Sequence, residues 1–259
     1  MASTEFLDID DQRLECVRLA GERNVPTLVF LHEGLGSVAM WRDFPQRVAA
    51  ATGCPGLVYS RAGYGQSTPL AMPRRPDYMH VEALSVLPAL LDRLAIDEPI
   101  LIGHSDGASI ALIHAGARVR ATRAVVALAP HVFVEELSVA SIAQAKSLYD
   151  TTDLRDRLAR YHGDVDSAFR GWNDIWLAAA FRDWNIEPYL PTIGCPLLLI
   201  QGREDEYGTL AQLDAIERQV AGRVERVELA ACGHSPQRDQ PDSTLAAIER
   251  FVASVVRQR

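Results

Sequence analysis

Residues 100–113 of the chain read ILIGHSDGASIALI, and this stretch decides the fold. Its first four residues are a continuous apolar run, which is typical of a strand buried on both faces of a sheet. The apolar and small residues after Gly107 favour a helix. Between the two, residues 103–107 fit the pattern G-x-S-x-G, in which a serine occupies a sharp turn from strand to helix. We therefore predict a strand–turn–helix unit with Ser105 at the turn.

The chain on either side alternates apolar runs with amphipathic stretches. Continuous apolar runs lie at 27–32, 56–60, 100–103, 124–129 and 196–201. Helix candidates lie between them, near 41–51, 80–95, 107–118, 209–220 and 239–256. Such alternation predicts an α/β fold with a mostly parallel central sheet flanked by helices. An opening hairpin is expected at 4–9 and 13–19, and the alternating stretch 224–229 is typical of an edge strand.

One interval interrupts this alternation. Residues 131–190 have no strand signal, contain several helix-like stretches and hold three of the four tryptophans. We predict a helical cap there, inserted into a core made of residues 1–130 and 191–259. Ligands bind at the carboxyl edge of a parallel sheet, so an insertion leaving that edge would cover a ligand crevice. Trp172 and Trp176 share a helix face; the alternatives are packing between cap and core or, for Trp172, a wall of the substrate pocket.

Composition excludes several classes of protein. The chain has 259 residues, of which 48% are hydrophobic, and a net charge of −8, which argues against disordered, fibrous and disulfide-stapled proteins. Without a run of Lys or Arg, neither nucleic acid nor an anionic membrane surface is an expected partner. No signal peptide, membrane span or Cys-x-x-Cys pair is recognised. We expect a cytoplasmic monomer or homodimer that acts on a small molecule.

A serine hydroxyl becomes a useful nucleophile only beside a base, which needs an orienting group in turn. Asp205 follows the apolar run at 196–201, and His234 follows the stretch at 224–229. Both therefore lie near carboxyl ends of neighbouring strands, as Ser105 does, and the three side chains can converge. The sequence predicts a catalytic triad of Ser105, Asp205 and His234.

Two neighbours compete with the proposed acid. Glu204 and Glu206 flank Asp205, which we prefer because it stands three residues past Gly202 and beyond the strand end. A surface histidine is the alternative reading of His234, and its position after the last strand argues against that.

Acyl transfer needs donors for the oxyanion of its tetrahedral intermediate. One is expected to be the backbone N–H of Asp106, the residue after the serine. The second should come from the glycine-rich loop after the first buried strand, where we predict Gly34, with Glu33 and Leu35 as alternatives.

The same loop fits a competing motif. Residues 34–39 match G-x-G-x-x-A after a strand, the fingerprint of dinucleotide binding. The next strand ends at 59–61 without the acidic residue that would bind a ribose, and the serine constellation accounts for the same loop. We therefore disfavour nucleotide binding.

These motifs resemble the α/β-hydrolase superfamily over nearly the whole chain. The resemblance rests on the loop at 32–37, the segment SRAGYGQS at 60–67, the turn at 103–107, Asp205 and His234. It implies an α/β-hydrolase fold with a variable cap and neither a metal nor an organic cofactor. Within the superfamily the chain is similar to capped esterases and to the C–C bond hydrolases of aromatic degradation.

The expected function is hydrolysis of a small carboxylic ester through an acyl-enzyme on Ser105. Cleavage of a C–C bond or of an enol-lactone by the same triad is the alternative, and a ligand-binding receptor that kept the fold is a third reading. Epoxide hydrolases and haloalkane dehalogenases use an Asp nucleophile, and here Ser105 stands in that place.

Two residues depart from the usual pattern of the superfamily. The loop begins His32-Glu33 rather than His-Gly, and Asp106 stands where Met, Gln or Leu is common. A carboxylate beside the site repels anionic substrates unless it is paired. We hypothesise that Glu33 or Asp106 pairs with Arg61; the alternatives are that Arg61 binds a substrate carboxylate or is a solvated loop residue.

Overall fold

An eight-stranded sheet forms the centre of the protein. The structure is a computed structural model that describes residues 3–70 and 73–257. The strands follow the spatial order β1-β2-β4-β3-β5-β6-β7-β8. Their bounds are β1 Thr4–Ile9, β2 Gln12–Leu19, β3 Leu28–Leu31, β4 Gly56–Tyr59, β5 Ile100–His104, β6 Ala124–Leu128, β7 Leu197–Gly202 and β8 Val224–Leu229. Strands β3 to β8 pair in parallel, whereas β1 and β2 form an antiparallel hairpin that joins β4. The predicted sheet, its opening hairpin and its edge strand β8 are thus confirmed.

Helices lie between the strands, as the alternation predicts. They are α1 Phe44–Thr52, α2 Tyr78–Val81, α3 Leu87–Arg93, α4 Asp106–Ala117, α5 Glu136–Thr151, α6 Leu154–Leu158, α7 Val165–Leu177, α8 Ala211–Gln219, α9 Pro236–Asp239 and α10 Pro241–Val256. A π-helical segment, Glu82–Val86, joins α2 to α3. Across the described ranges, no helix combines the length and the apolar character needed to cross a membrane.

Both faces of the sheet are covered, which explains the continuous apolar runs. Successive residues of β3 alternate between the two hydrophobic cores: Val29 and Leu31 belong to one, and Leu28 and Phe30 to the other. The first core is completed by α3, α4 and the helices between β6 and β7, and the second by α1 and α10. A strand with no polar face is what burial between two helical layers requires.

The stretch from 131 to 190, described throughout, is the predicted insertion. It carries α5, α6 and α7 and contains no strand, only a single bridge between Phe133 and Asn185. We call it the helical insertion. It leaves β6 at the carboxyl edge of the sheet and returns to β7, so its position agrees with that expected of a cap. Its existence as a separate domain stays a prediction.

The turn between β5 and α4 is held in an unusual conformation. Ser105 has φ 52° and ψ −119°, a strained combination for a residue with a side chain. The neighbouring segments approach so closely that a Cβ on Gly103 would lie 2.3 Å from the Gly107 carbonyl oxygen. A Cβ on Gly107 would lie 2.0 Å from the Leu31 carbonyl oxygen. Only glycine fits at 103 and 107, which is the physical content of the G-x-S-x-G pattern.

Replacing Gly107 tests this account of the turn. Gly107→Ala should lower the free energy of unfolding by about 2 kcal/mol or more, because the new methyl group forces β3 and α4 apart. Gly194→Ala is the matched control, since nothing lies within 4 Å of a Cβ there. Urea unfolding followed by circular dichroism measures both, and equal stability of the two variants would contradict the close approach.

Candidate active site

Ser105 lies where β5 passes into α4. Its backbone N–H donates to the Leu128 carbonyl of β6 (2.9 Å), and α4 begins at the next residue, Asp106. The side chain borders a cavity of about 200 Å³. Residues from the β3 loop, the helical insertion and the loops after β7 and β8 complete its walls, and they include Gly34, Trp172 and His234. The turn and the insertion therefore enclose one space.

Asp205 and His234 form a hydrogen-bonded pair at this edge of the sheet. His234 Nδ1 lies 2.8 Å from Asp205 Oδ1, which also accepts the backbone N–H groups of Tyr207 (2.8 Å) and Gly208 (3.2 Å). The Gln201 amide donates to Oδ2 (3.0 Å). Burial acts to raise the pKa of Asp205, but the hydrogen bonds and the neighbouring imidazoles outweigh it and hold this pKa below its ordinary value. An ionised Asp205 fixes the proton of His234 on Nδ1 and leaves Nε2 with a lone pair.

The structure thus brings the candidate acid and base together and places the serine on the same cavity. Within the described part of the chain Ser105 makes no side-chain hydrogen bond to His234; such contacts are often long without substrate. Glu206, a rival of Asp205, has another partner: its carboxylate accepts the backbone N–H of His234 (3.1 Å). Asp205 is therefore the residue that orients the ring, and Glu206 holds the loop.

The loop after β3 forms the opposite wall. Glu33, Gly34 and Leu35 all border the cavity, so its outline does not separate these three candidates for the second oxyanion donor. Gly34 lies directly against Trp172, because a Cβ added at Gly34 would stand 2.1 Å from the indole Cδ1. Both Trp172 and Trp176 of α7 border the cavity, so these tryptophans are wall residues as well as packing residues.

The β3 loop is held from behind by Arg61 and His32. The Arg61 guanidinium donates to the carbonyl oxygens of His32 (2.6 Å) and Glu33 (3.0 Å), and the Arg61 backbone N–H donates to His32 Nε2 (3.0 Å). Because Nε2 accepts, His32 carries its proton on Nδ1, which donates to the Glu33 carbonyl (2.7 Å). Burial and the Arg61 charge keep the pKa of His32 well below its ordinary value, so the ring stays neutral.

Arg61 is placed differently from a substrate ligand. Its side chain is 3% exposed, borders no part of the cavity around Ser105, and lies 3.9 Å from Asp106 Oδ2. The hypothesised pairing with Asp106 is thus present, whereas Arg61 meets Glu33 through its backbone carbonyl. Burial excludes the solvated-loop alternative. Arg61 does not border the cavity around Ser105 and lines a different one, beside Arg74, so it is not placed to bind a substrate carboxylate next to the serine.

Asp106 has a second partner that links it to the insertion. The Tyr78 hydroxyl donates to Asp106 Oδ2 (2.5 Å) and accepts from the indole N–H of Trp176 (3.1 Å). Trp176 is also a wall of the cavity. A continuous polar chain therefore runs from that wall, through Tyr78, to the residue that follows the serine, and on to Arg61.

The Glu33 carboxylate faces a second imidazole, that of His104. His104 Nε2 donates to the backbone carbonyl of His234 (2.7 Å), while Nδ1 lies between the Gln237 amide (3.0 Å) and Glu33 Oε2 (3.4 Å). Burial acts to raise the pKa of Glu33, but the hydrogen bond to His104 and the neighbouring charges lower it to about 2. The mouth of the cavity thus carries a fixed negative charge, as the sequence departure at this position suggests.

Sequence reasoning missed two residues at this site and considered a third, Glu206, only as a rival of Asp205. Tyr78 and His131 belong to no motif. His131 follows β6 as Asp205 follows β7, and the rule that active residues lie at carboxyl ends of strands would have found it. Among the residues that the structure describes, no cluster of three or more His, Cys, Asp or Glu side chains is arranged to hold a metal ion.

Comparison with known proteins agrees with this geometry. A model of the alpha/beta hydrolase family matches residues 28–248. The chain belongs to the alpha/beta hydrolase family. The match covers strands β3 to β8, the turn at Ser105 and the loops that carry Asp205 and His234. Membership of this family makes a hydrolase the expected kind of enzyme.

Solved structures of the family share the fold across almost the whole chain. The proline iminopeptidase of Mycobacterium smegmatis is 16% identical, with a TM-score of 0.78 over 98% of each chain. The enol-lactonase of Burkholderia xenovorans LB400 is 21% identical, with a TM-score of 0.73 over 96% of this chain and all of its own. The haloalkane dehalogenase DbeA of Bradyrhizobium elkani USDA94 is 17% identical, with a TM-score of 0.76 over 98% and 99%. At these identities the likeness establishes the fold alone.

The position of Arg61 yields a stability prediction. Arg61→Met should lower the free energy of unfolding by about 3 kcal/mol or more, because it leaves the buried Asp106 carboxylate without its nearest cation. Arg157→Met is the control, since its pair with Asp153 is exposed and should matter little. Urea unfolding checks both variants. Any residual activity of Arg61→Met should fall equally on neutral and acidic esters, and a loss confined to acidic esters would contradict the structural role.

Proposed function

We propose that this protein is a serine hydrolase that cleaves a small carboxylic ester through an acyl-enzyme on Ser105. The observation that carries the proposal is the ordered pair His234–Asp205 on the same cavity as a serine in a strained strand-to-helix turn. Nucleophilic catalysis by serine requires a base that a carboxylate orients and a serine hydroxyl that the base can reach. The sharp turn at Ser105 presents such a hydroxyl at the cavity.

The chemistry follows from the protonation of His234. With its proton on Nδ1 and shared with Asp205, the ring accepts the Ser105 proton at Nε2 as the serine oxygen attacks the ester carbonyl. Asp205 stabilises the imidazolium that forms. The imidazolium then protonates the leaving alcohol, the acyl group remains on Ser105, and a water molecule activated by the same ring releases the acid.

The oxyanion formed in each half-reaction needs preorganised donors. We propose two donors for this task. One is the backbone N–H of Asp106 at the start of α4, and the other is the backbone N–H of Gly34 in the β3 loop. Each such donor contributes on the order of 3 kcal/mol to transition-state stabilisation. The bonds of Arg61 to the carbonyls of His32 and Glu33 support this role by holding the loop in place.

The alternative of an aspartate nucleophile finds less support. Haloalkane dehalogenases share the fold, and Asp106 directly follows the serine. The Asp106 side chain is fully buried and hydrogen-bonded to Tyr78, whereas Ser105 occupies the strained position and borders the cavity. The geometry therefore favours Ser105 as the attacking group.

The cavity favours a small substrate. Its volume of about 200 Å³ lies below the ordinary range of ligand pockets, and the helical insertion closes one side of it with Trp172 and Trp176. We propose that the insertion acts as the cap of the site. A compact cyclic ester fits such a space, and the enol-lactonase is a structural neighbour, so lactone hydrolysis is the second candidate.

Covalent labelling tests the nucleophile. A fluorophosphonate probe should modify the wild-type protein once, on Ser105, and Ser105→Ala should abolish both labelling and turnover of p-nitrophenyl esters of graded acyl length. Peptide mass spectrometry locates the adduct. Ser147→Ala, an exposed serine on α5, is the matched control. Labelling without turnover of any ester or lactone would favour a ligand-binding receptor over an enzyme.

Replacing the two acidic residues near His234 separates their roles. Asp205→Asn should lower kcat by roughly 10³- to 10⁴-fold, because the amide favours the wrong tautomer of the imidazole. Glu206→Gln should lower kcat by about tenfold at most, since within the described residues the Glu206 carboxylate accepts one hydrogen bond, from the backbone N–H of His234, and none from its ring. Steady-state kinetics on one ester measures both variants, and equal losses would overturn the assignment of Asp205.

A further inference from the structure

His131 is one of the polar residues at this cavity to which the proposed mechanism gives no role. It follows β6, near the carboxyl edge of the sheet, and borders the cavity together with Ser105 and His234. The side chain is 2% exposed, and its ring centroid lies 5.5 Å from that of His234. An imidazole in this position can reach a substrate bound next to the serine.

The backbone holds His131 rigidly. The Ser109 hydroxyl donates to the His131 carbonyl (2.6 Å), and the next backbone N–H, that of Val132, donates to Gln212 Oε1 (2.7 Å). The ring packs edge to face against Trp176 at 5.2 Å. Backbone hydrogen bonds and ring packing thus hold the His131 side chain in one position, as expected of a residue that is preorganised to contact a ligand.

The hydrogen-bonding capacity of this imidazole is unused. Nδ1 is buried beside Gly208 and has no hydrogen-bond partner among the residues that the structure describes. Nε2 makes no hydrogen bond to those residues either, and it is not among their fully buried unpartnered atoms. The other two imidazoles beside it, His104 and His234, are both hydrogen-bonded. Buried polar groups are nearly always satisfied, so an exception at the wall of a cavity calls for a ligand.

The charge state narrows the kind of ligand. Burial, followed by the proximity of His234, lowers the pKa of His131 to about 3; the charge of Asp205 opposes this shift and the His104 ring adds to it. The neutral ring does not form an ion pair with a carboxylate. It offers a hydrogen bond to an uncharged oxygen.

The shape of the cavity indicates which part of the substrate this is. Of the residues that border the cavity, Arg238 has a side chain that is 63% exposed, whereas His131, Trp176 and Ile142 are buried. The side of the cavity with Arg238 is therefore the open one. The leaving alcohol must escape to solvent before the acyl-enzyme is hydrolysed, so it belongs on the open side. The acyl group then occupies the closed side, next to His131.

We propose that His131 is a subsite for an uncharged oxygen on the acyl group, so that the enzyme prefers esters of hydroxy, alkoxy or oxo acids to plain alkyl esters. This inference rests on the proposed function, and it specifies the substrate class of the same site. His131 takes no part in the bond-making steps; it selects the substrate and positions it.

Two matched substrate pairs test the proposal. The p-nitrophenyl esters of methoxyacetate and butanoate differ by one oxygen in place of a methylene, and those of 4-oxopentanoate and 4-methylpentanoate differ by a carbonyl. After correction for alkaline hydrolysis rates, the wild-type protein should favour the oxygenated member of at least one pair by about tenfold in kcat/KM. If the wild-type protein shows no preference in either pair, the proposal is overturned by this measurement alone.

Variants then assign the preference to this residue. In His131→Leu the ratio within the favoured pair should fall to near one, and in His131→Gln, which keeps an amide N–H, it should be partly retained. His80→Leu is the matched control, because the His80 Nδ1 is also unpartnered within the described residues but the ring lies outside the cavity. An unchanged ratio in His131→Leu would overturn the proposal.

Fluorophosphonate labelling separates this test from that of the proposed function. A wild-type protein that is not labelled at Ser105 fails the proposed function itself. A protein that is labelled and turns over both members of a pair equally retains that function and loses only the role of His131. A preference that follows oxygen in the alcohol rather than in the acyl group would overturn the placement argued from the cavity.

Discussion

The contact of Gly107 with the Leu31 carbonyl is the constraint on which the remaining structure depends. It allows α4 to start directly over β3, so that the turn from β5 is sharp and Ser105 is forced out of ordinary backbone geometry. The same contact brings the start of α4 beside the loop that follows β3. A wider turn would separate the serine from that loop, and the two proposed oxyanion donors would no longer lie on one cavity.

The start of α4 lies against the β3 loop, and this brings the Asp106 carboxylate and the carbonyls of the loop together in a buried place where they need hydrogen-bond partners. Arg61 is the partner of these groups: its buried guanidinium donates to two carbonyls of the β3 loop and faces the Asp106 carboxylate. A buried charge without such partners would be strongly destabilising. The two departures from the usual family pattern have different neighbours: Asp106 faces the Arg61 guanidinium, and the Glu33 carboxylate faces the His104 ring.

The sequence predicted the features that depend on local pattern. Every buried strand, the turn at Ser105 and the hydrogen-bonded pair of Asp205 and His234 could be located, because apolar runs and strand ends are readable in order along the chain. The placement of Arg61 could not be predicted. The sequence left three roles for this loop arginine, and the choice among them depends on burial, which tertiary packing decides. The contact of Tyr78 with Trp176 joins residues nearly one hundred positions apart and leaves no periodic signal.

That long-range contact determines how the helical insertion relates to the core. Trp176 is a wall of the cavity and donates to Tyr78, which donates to Asp106, so the wall and the start of α4 are joined by two consecutive hydrogen bonds. Trp172, one turn earlier on α7, lies against Gly34 of the β3 loop. The start of α4 and Gly34 of the β3 loop are therefore each braced by a tryptophan of the insertion. Because both indole rings are large, rigid and buried, displacing the insertion would disturb the two places from which the proposed oxyanion donors come. The shape of the cavity is thus coupled to the geometry around Ser105.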